Sequence, residues 1–133
     1  MKRMAMLGLA MLTMGAARPP VHTCTPGPYI VFFDHESSAI KKDAAEILDN
    51  AIQNEGDCGA PRAVLAGHSD TSEPRAIAGR RLLAVANYLA ARGVFVRRGD
   101  RRNFGAREPR VKTPPNTEER QNRRVELTYG PDV

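Results

Sequence analysis

Ala63-Val64-Leu65-Ala66-Gly67-His68-Ser69-Asp70 is the stretch on which the reading of this chain turns. Its first four residues are apolar, too few for a helix, and bounded by Pro61 and Gly67, which predicts a short strand. A helix is expected to follow, with Pro74 near its start and Gly93 just past its end, the asymmetry that helix termini favour. Ala78, Leu82, Val85, Ala86 and Leu89 recur on one face of that helix. The tetrad Gly67-His68-Ser69-Asp70 thus lies where a strand ends and a helix begins. A carboxylate there can cap the helix or hold a cationic ligand group.

Upstream, residues 29–33 are β-branched and aromatic and end at Asp34, which predicts a strand buried on both faces. Ser37 and Ser38 offer N-caps for a first helix whose stripe is Ile40, Ala44, Ile47, Leu48, Ala51 and Ile52, with Gly56 ending it. Downstream, Val94, Phe95 and Val96 look like a strand, but residues 97–102 are polar around Gly99, so the strand is either short or at an exposed edge. Pro109, Pro114 and Pro115 mark a long loop, and alternating Val125, Leu127 and Tyr129 predict a half-buried closing strand. Strand, helix, strand, helix in this order argues for an α/β fold with helices packed on a sheet.

The 133 residues leave room for one domain. Lys2 and Arg3, an apolar run over residues 4–14 and the small residues Gly15-Ala16-Ala17 have the layout of a secretory signal peptide, expected over residues 1–17. A Pro-rich segment, 18–28, and a domain, 29–130, should follow. No later run approaches the roughly 20 apolar residues of a membrane span, so the mature chain should carry no transmembrane segment. Export places Cys24 and Cys58, the only two cysteines, in an oxidising compartment where a disulfide between them is expected. The rival reading makes Cys24 a lipid-anchor site, against which stand the bulky and polar Val21-His22-Thr23 and the intervening Arg18-Pro19-Pro20.

The net charge is +5, with the surplus in the second half, where ten arginines and lysines between Arg97 and Arg124 face only Asp100, Glu108, Glu118 and Glu119. Inside a cell such a face would suit nucleic acid; for an exported chain no nucleic-acid partner is expected. Lipid headgroups, acidic wall polymers, carboxylated peptides or plain solvent are the alternatives.

His68, Ser69 and Asp70 invite a catalytic reading, but adjacent residues do not converge into a relay, and no Gly-x-Ser-x-Gly elbow is present. The three histidines lack the paired spacing of zinc sites, so no metal is expected. His68 reads as a hydrogen-bonded structural histidine, and His68 and Ser69 as supporting residues. Arg81 could rest at the edge of the apolar stripe with its head in water, or form with Asp70 a mixed-charge pocket for a zwitterionic amino-acid head.

Taken together, these motifs resemble the OmpA-like peptidoglycan-binding domain, also found in peptidoglycan-associated lipoproteins and MotB-type stator proteins. Phe32-Phe33-Asp34 is similar to the family's first strand and its acidic end, and Ala66-Gly67-His68-Ser69-Asp70 to its Gly-His-Thr-Asp motif. The run from Arg81 to Leu89 is similar to its Arg-Ala-x-x-Val-x-x-Tyr-Leu helix. Asn103-Phe104-Gly105 stands where the family has Gly-Tyr-Gly, before Pro109 and Asn122-Arg123-Arg124-Val125-Glu126. The resemblance implies a two-layer sandwich: a small mixed sheet with two main helices on one face. It also implies non-catalytic binding of peptidoglycan in the periplasm or at the outer membrane, without cofactors, through the diaminopimelate of stem peptides. Asp70 would take the ammonium group and Arg81 the carboxylate, with Asp34 and Arg123 lining the pocket. The alternative is a degenerate pocket on a module that docks an envelope protein or an anionic surface. The crossing from Asp70 to Arg81 is shorter than in the family by about four residues, roughly one helical turn, which implies a more open site or an altered ligand. Gly99 replaces an apolar strand residue, and the loop before Asn122 is shortened.

Overall fold

A computed structural model describes residues 15–18 and 23–130. The expected leader lies mostly outside the described residues, as do Pro19, Pro20, Val21 and His22. The elements are β1 (Tyr29–Phe32), α1 (Lys42–Asp57), β2 (Ala63–His68), α2 (Ile77–Ala90), β3 (Arg101–Gly105) and β4 (Arg124–Tyr129). The strands form one mixed sheet in the order β1-β4-β2-β3, with β2 and β3 parallel and the β1–β4 and β2–β4 pairs antiparallel.

One hydrophobic core joins both helices to one face of the sheet. The stripe Ala78, Leu82, Val85, Ala86 and Leu89 is buried as its spacing predicts, and α1 contributes Ala44, Leu48 and Ala51. Val125, Leu127 and Tyr129 alternate inward from the central strand β4, and the Tyr129 hydroxyl donates to the Ala51 carbonyl at 2.9 Å, tying sheet to helix. Gly67 lets α2 settle on β2: a Cβ there would come within 2.5 Å of Leu82 Cγ and 3.0 Å of the Ala78 carbonyl oxygen. The glycine of the tetrad is thus a packing requirement. Cys24 and Cys58 are joined by a disulfide. Closing a loop of this separation, 34 residues, contributes about 3 to 4 kcal/mol by chain entropy, and Cys24 has no thiol left for a lipid. No helix among the described residues is long and apolar enough to cross a membrane.

Four expectations are corrected. β1 is an edge strand, since only β4 pairs with it, and it buries one face, since the core and both helices lie on one side of the sheet. Ser37 and Ser38 do not cap α1, which begins at Lys42 without a side-chain cap and runs past Gly56. Instead the Ser37 carbonyl accepts from Arg81 Nε at 2.9 Å. Val94 and Val96 are buried but form no strand: they fill the core from a loop, and Phe95 between them is 77% exposed. The strand is the polar run Arg101–Gly105, at the open edge beside β2, where cationic side chains keep contact with water.

Candidate functional site

β2 delivers Asp70 to the end of the sheet where β1 and β3 also terminate. The register of β2 against β3 shifts between Gly67 and His68, an irregularity that re-aims the chain just before the tetrad ends. Asp70 is buried, and both carboxylate oxygens are fully engaged. Oδ1 accepts from the Ser72 amide at 3.0 Å and the Ser72 hydroxyl at 2.7 Å; Oδ2 accepts from the Glu119 amide at 3.0 Å and Arg123 Nη1 at 3.1 Å. Burial by itself would raise the Asp70 pKa, but these donors together outweigh it and hold the carboxyl below its ordinary value.

Arg81 sits one turn into α2 and is 0% exposed, the largest fully buried side chain in the described residues. All five of its N–H donors are matched. Nε donates to the Ser37 carbonyl, Nη1 to the His68 carbonyl at 3.1 Å and Nη2 to the Asp34 carbonyl at 3.1 Å. The remaining two run in parallel to Glu73, Nη1 to Oε1 at 2.8 Å and Nη2 to Oε2. The guanidinium also lies 5.3 Å from the centre of the Phe33 ring. The expectation that Arg81 rests at the helix edge with its head in water is therefore corrected: the guanidinium is a buried node joining the loops that follow β1 and β2.

The partner that makes this burial affordable is Glu73, a residue the motif reading did not single out. Its carboxylate is 0% exposed and accepts four hydrogen bonds: two from Arg81, one from the Asp70 amide at 3.0 Å and one from the Glu36 amide at 2.8 Å. Asp70-Thr71-Ser72-Glu73 has the D-x-x-E spacing of a capping box, in which the acid reaches back to the first residue's amide. That spacing was the available signal.

Among the other expected site residues, Arg123 reaches Asp70 as described, and its Nε is held by the Phe33 carbonyl at 3.0 Å. Asp34 contributes its backbone carbonyl to Arg81, while its carboxylate, 62% exposed, turns outward to Lys41 at 3.1 Å. Buried Asn122 sets the neighbouring loop by accepting from the Arg110 and Val111 amides and donating to the Val111 carbonyl. Thr71 ties the crossing to the same loop through Thr113, Pro114 and Thr117. Beside the tetrad a cleft of about 440 Å³ is lined by Asp70, Glu73, Arg75, Phe104 and Arg107, among others.

His68 is buried and stacks on Phe104 with ring centroids 5.2 Å apart; the expectation of a hydrogen-bonded histidine is corrected, since the ring is held by stacking and neither ring nitrogen makes a hydrogen bond among the described residues. Burial, with the Arg124 charge nearby, lowers its pKa to about 4, and Glu126 offsets only part of this. A neutral ring stacked on Phe104, with the Glu126 carboxylate 3.9 Å from Nε2, makes no relay with Ser69 and Asp70. His35, Asp70 and Glu73 bring possible ligand atoms within 4.8 Å of one another, and in this arrangement both carboxylates are taken up by arginine and amide donors.

No family model matches the chain. It is 35% identical over 109 residues to a protein described as an outer membrane protein of Gluconacetobacter diazotrophicus, a match that takes in 74% of this chain but only 29% of that relative's length. Among solved structures, the peptidoglycan-associated lipoprotein of Burkholderia pseudomallei aligns with a TM-score of 0.63 at 21% identity, over 77% of this chain and 90% of that one. The OmpA-like domain of FopA1 from Francisella tularensis aligns with a TM-score of 0.61 at 14% identity, over 74% and 68%. The fold is that of the OmpA-like domains, as the sequence motifs led one to expect.

Proposed function

We propose that this chain is a non-catalytic cell-envelope domain that binds peptidoglycan, and that the diaminopimelate of stem peptides is the recognised group. The observation that carries the reading is the convergence of a buried carboxylate, Asp70, and a buried guanidinium, Arg81, at one end of an OmpA-like sheet. A zwitterionic head needs this complement: an acid for its ammonium and a planar fork for its carboxylate. Arg123 and the turn at Asp34 stand at the margin of the same site. That the Burkholderia neighbour is a peptidoglycan-associated lipoprotein supports the reading, and that the relative is an outer membrane protein supports an envelope location.

Sedimentation with purified peptidoglycan tests it. Asp70→Asn keeps the side chain's shape and removes its charge, and should lower the retained fraction about tenfold, as expected for losing a charge-assisted contact. Unchanged retention of a folded Asp70→Asn variant would overturn the assignment.

A second reading is favoured by a different observation. Phe95, 77% exposed, lies beside the exposed Arg97 and Arg98 at the opposite end of β2, next to Arg62. An exposed apolar side chain with cations nearby suits an envelope protein or an anionic surface. Retention that vanishes with added salt and ignores competing diaminopimelate would select this reading instead.

A further inference from the structure

The groups that meet the Glu73 carboxylate are fixed by contacts that do not involve Glu73. Arg81 is anchored by three backbone carbonyls, those of Ser37, His68 and Asp34. The two amides belong to the chain just beyond β1 and β2. Glu36 holds its position in the left-handed region, φ 50°, uncommon for a glutamate and typical of backbone constrained by its surroundings. The four N–H groups therefore converge on one carboxylate-sized position as part of the scaffold. Glu73 itself comes from the crossing between β2 and α2, where its neighbours Pro74, Arg75 and Ala76 are exposed and the cleft beside Asp70 opens along it.

We propose that these four donors form a carboxylate receptor and that Glu73 is its internal occupant, so that a ligand carboxylate binds by displacing Glu73 rather than by entering an open pocket. The inference rests on the peptidoglycan reading only for the identity of that ligand. A buried guanidinium without a carboxylate would be strongly unfavourable, so a state in which Glu73 merely leaves is poorly populated. Replacing one carboxylate by another keeps the buried charge balanced and all four donors matched, and Glu73 moves to the solvent side of an exposed loop. The same logic holds beside it: Arg123 on Asp70 occupies the position that a ligand ammonium would take. The two ends of a zwitterion are thus both represented from within the chain. The apparent affinity for ligand is reduced by the fraction of molecules in which Glu73 has left.

The experiment compares acetate binding to the wild-type chain and to Glu73→Ala by titration calorimetry and by the shift in thermal midpoint, with chloride at matched ionic strength as the control. Glu73→Ala should bind acetate at least about tenfold more tightly than wild type. An equal response of the two chains overturns the proposal. If Glu73→Ala folds poorly, acetate should restore its far-UV circular dichroism where chloride does not, and failure of that rescue counts equally against the receptor. Glu73→Gln, which keeps the shape and loses the charge, should gain acetate affinity in the same direction.

Sedimentation with peptidoglycan separates this proposal from the one it rests on. Acetate gain without wall retention keeps the receptor and removes the peptidoglycan reading. Wall retention by wild type without acetate gain in Glu73→Ala does the reverse.

Discussion

Two arginine–carboxylate pairs stand at opposite ends of β2, and they are chemically alike. Arg81 meets Glu73, and Arg62 meets Asp100, each through two parallel N–H···O contacts. Their surroundings differ. Around Arg81 and Glu73 every further donor and acceptor is answered by backbone, and neither side chain touches water. Arg62 is 44% exposed, although Asp100 beneath it is buried, and the Arg62 hydrogen bonds hold the Asp100 carboxyl below its ordinary value. Geometry, then, does not set what an ion pair is worth. Desolvation does: breaking a buried pair strands a charge in a poor solvent, whereas water replaces the lost partner of an exposed one.

The largest effect should come from Arg81→Ala. It leaves the Glu73 carboxylate buried without its partner and three carbonyls unanswered, and should cost about 3 to 5 kcal/mol in urea denaturation. A loss below about 1 kcal/mol would break the comparison, by showing that Glu73 reaches water as readily as Arg62 does.

A second, smaller effect is read through pH. His68 lies next to the same site and is kept neutral in the folded chain down to about pH 4. The unfolded chain takes up a proton near the ordinary histidine value of about 6.5. Between those values the unfolded state binds more protons, so stability should fall as pH drops through the window and level off below it. The His68 share of that loss is at most about 3 kcal/mol. His68→Phe keeps the stack on Phe104 and should flatten this part of the profile, while the Asp70 share, lost only below the ordinary carboxylate range, remains. An unchanged slope between pH 6.5 and 4 in the variant would assign the acid sensitivity elsewhere.

Arg62→Ala should have the least effect. Its unfolding midpoint is expected to move much less than that of Arg81→Ala, and added salt should shrink the difference from wild type further. A midpoint shift matching that of Arg81→Ala would mean that the burial of Asp100 governs this pair too.

Much of the framework was legible because it follows from periodicity and punctuation. The α2 stripe, the alternation in β4 and the short β2 run bounded by Pro61 and Gly67 needed no knowledge of the rest of the chain. The failures have a common origin. Val94 and Val96 have strand-like chemistry, yet the position beside β2 went to Arg101–Gly105, and the two valines turned into the core instead. Ser37 and Ser38 have capping chemistry, yet the backbone there was needed to bind a side chain from the second helix. At the site, Asp70 and Arg81 stood out by type and by motif. Glu73 carried a recognisable D-x-x-E spacing, but nothing local said that its carboxylate would be the one to face Arg81.

The helix stripes, the closing strand, the cysteine pair and the place of Asp70 at the mouth of a strand could be read along the chain, because each depends on residues within a turn or two or on a pairing without competitors. Which charges meet was settled by packing. Arg81 is surrounded by Asp34, Ser37, His68 and Glu73, groups 8 to 47 residues away in the chain, and Asp70 is reached by Glu119 and Arg123 from the segment that leads into β4. The strength of an ion pair, and therefore which partner wins, depends on how much water the folded chain excludes from it, and that exclusion exists only once the elements have packed.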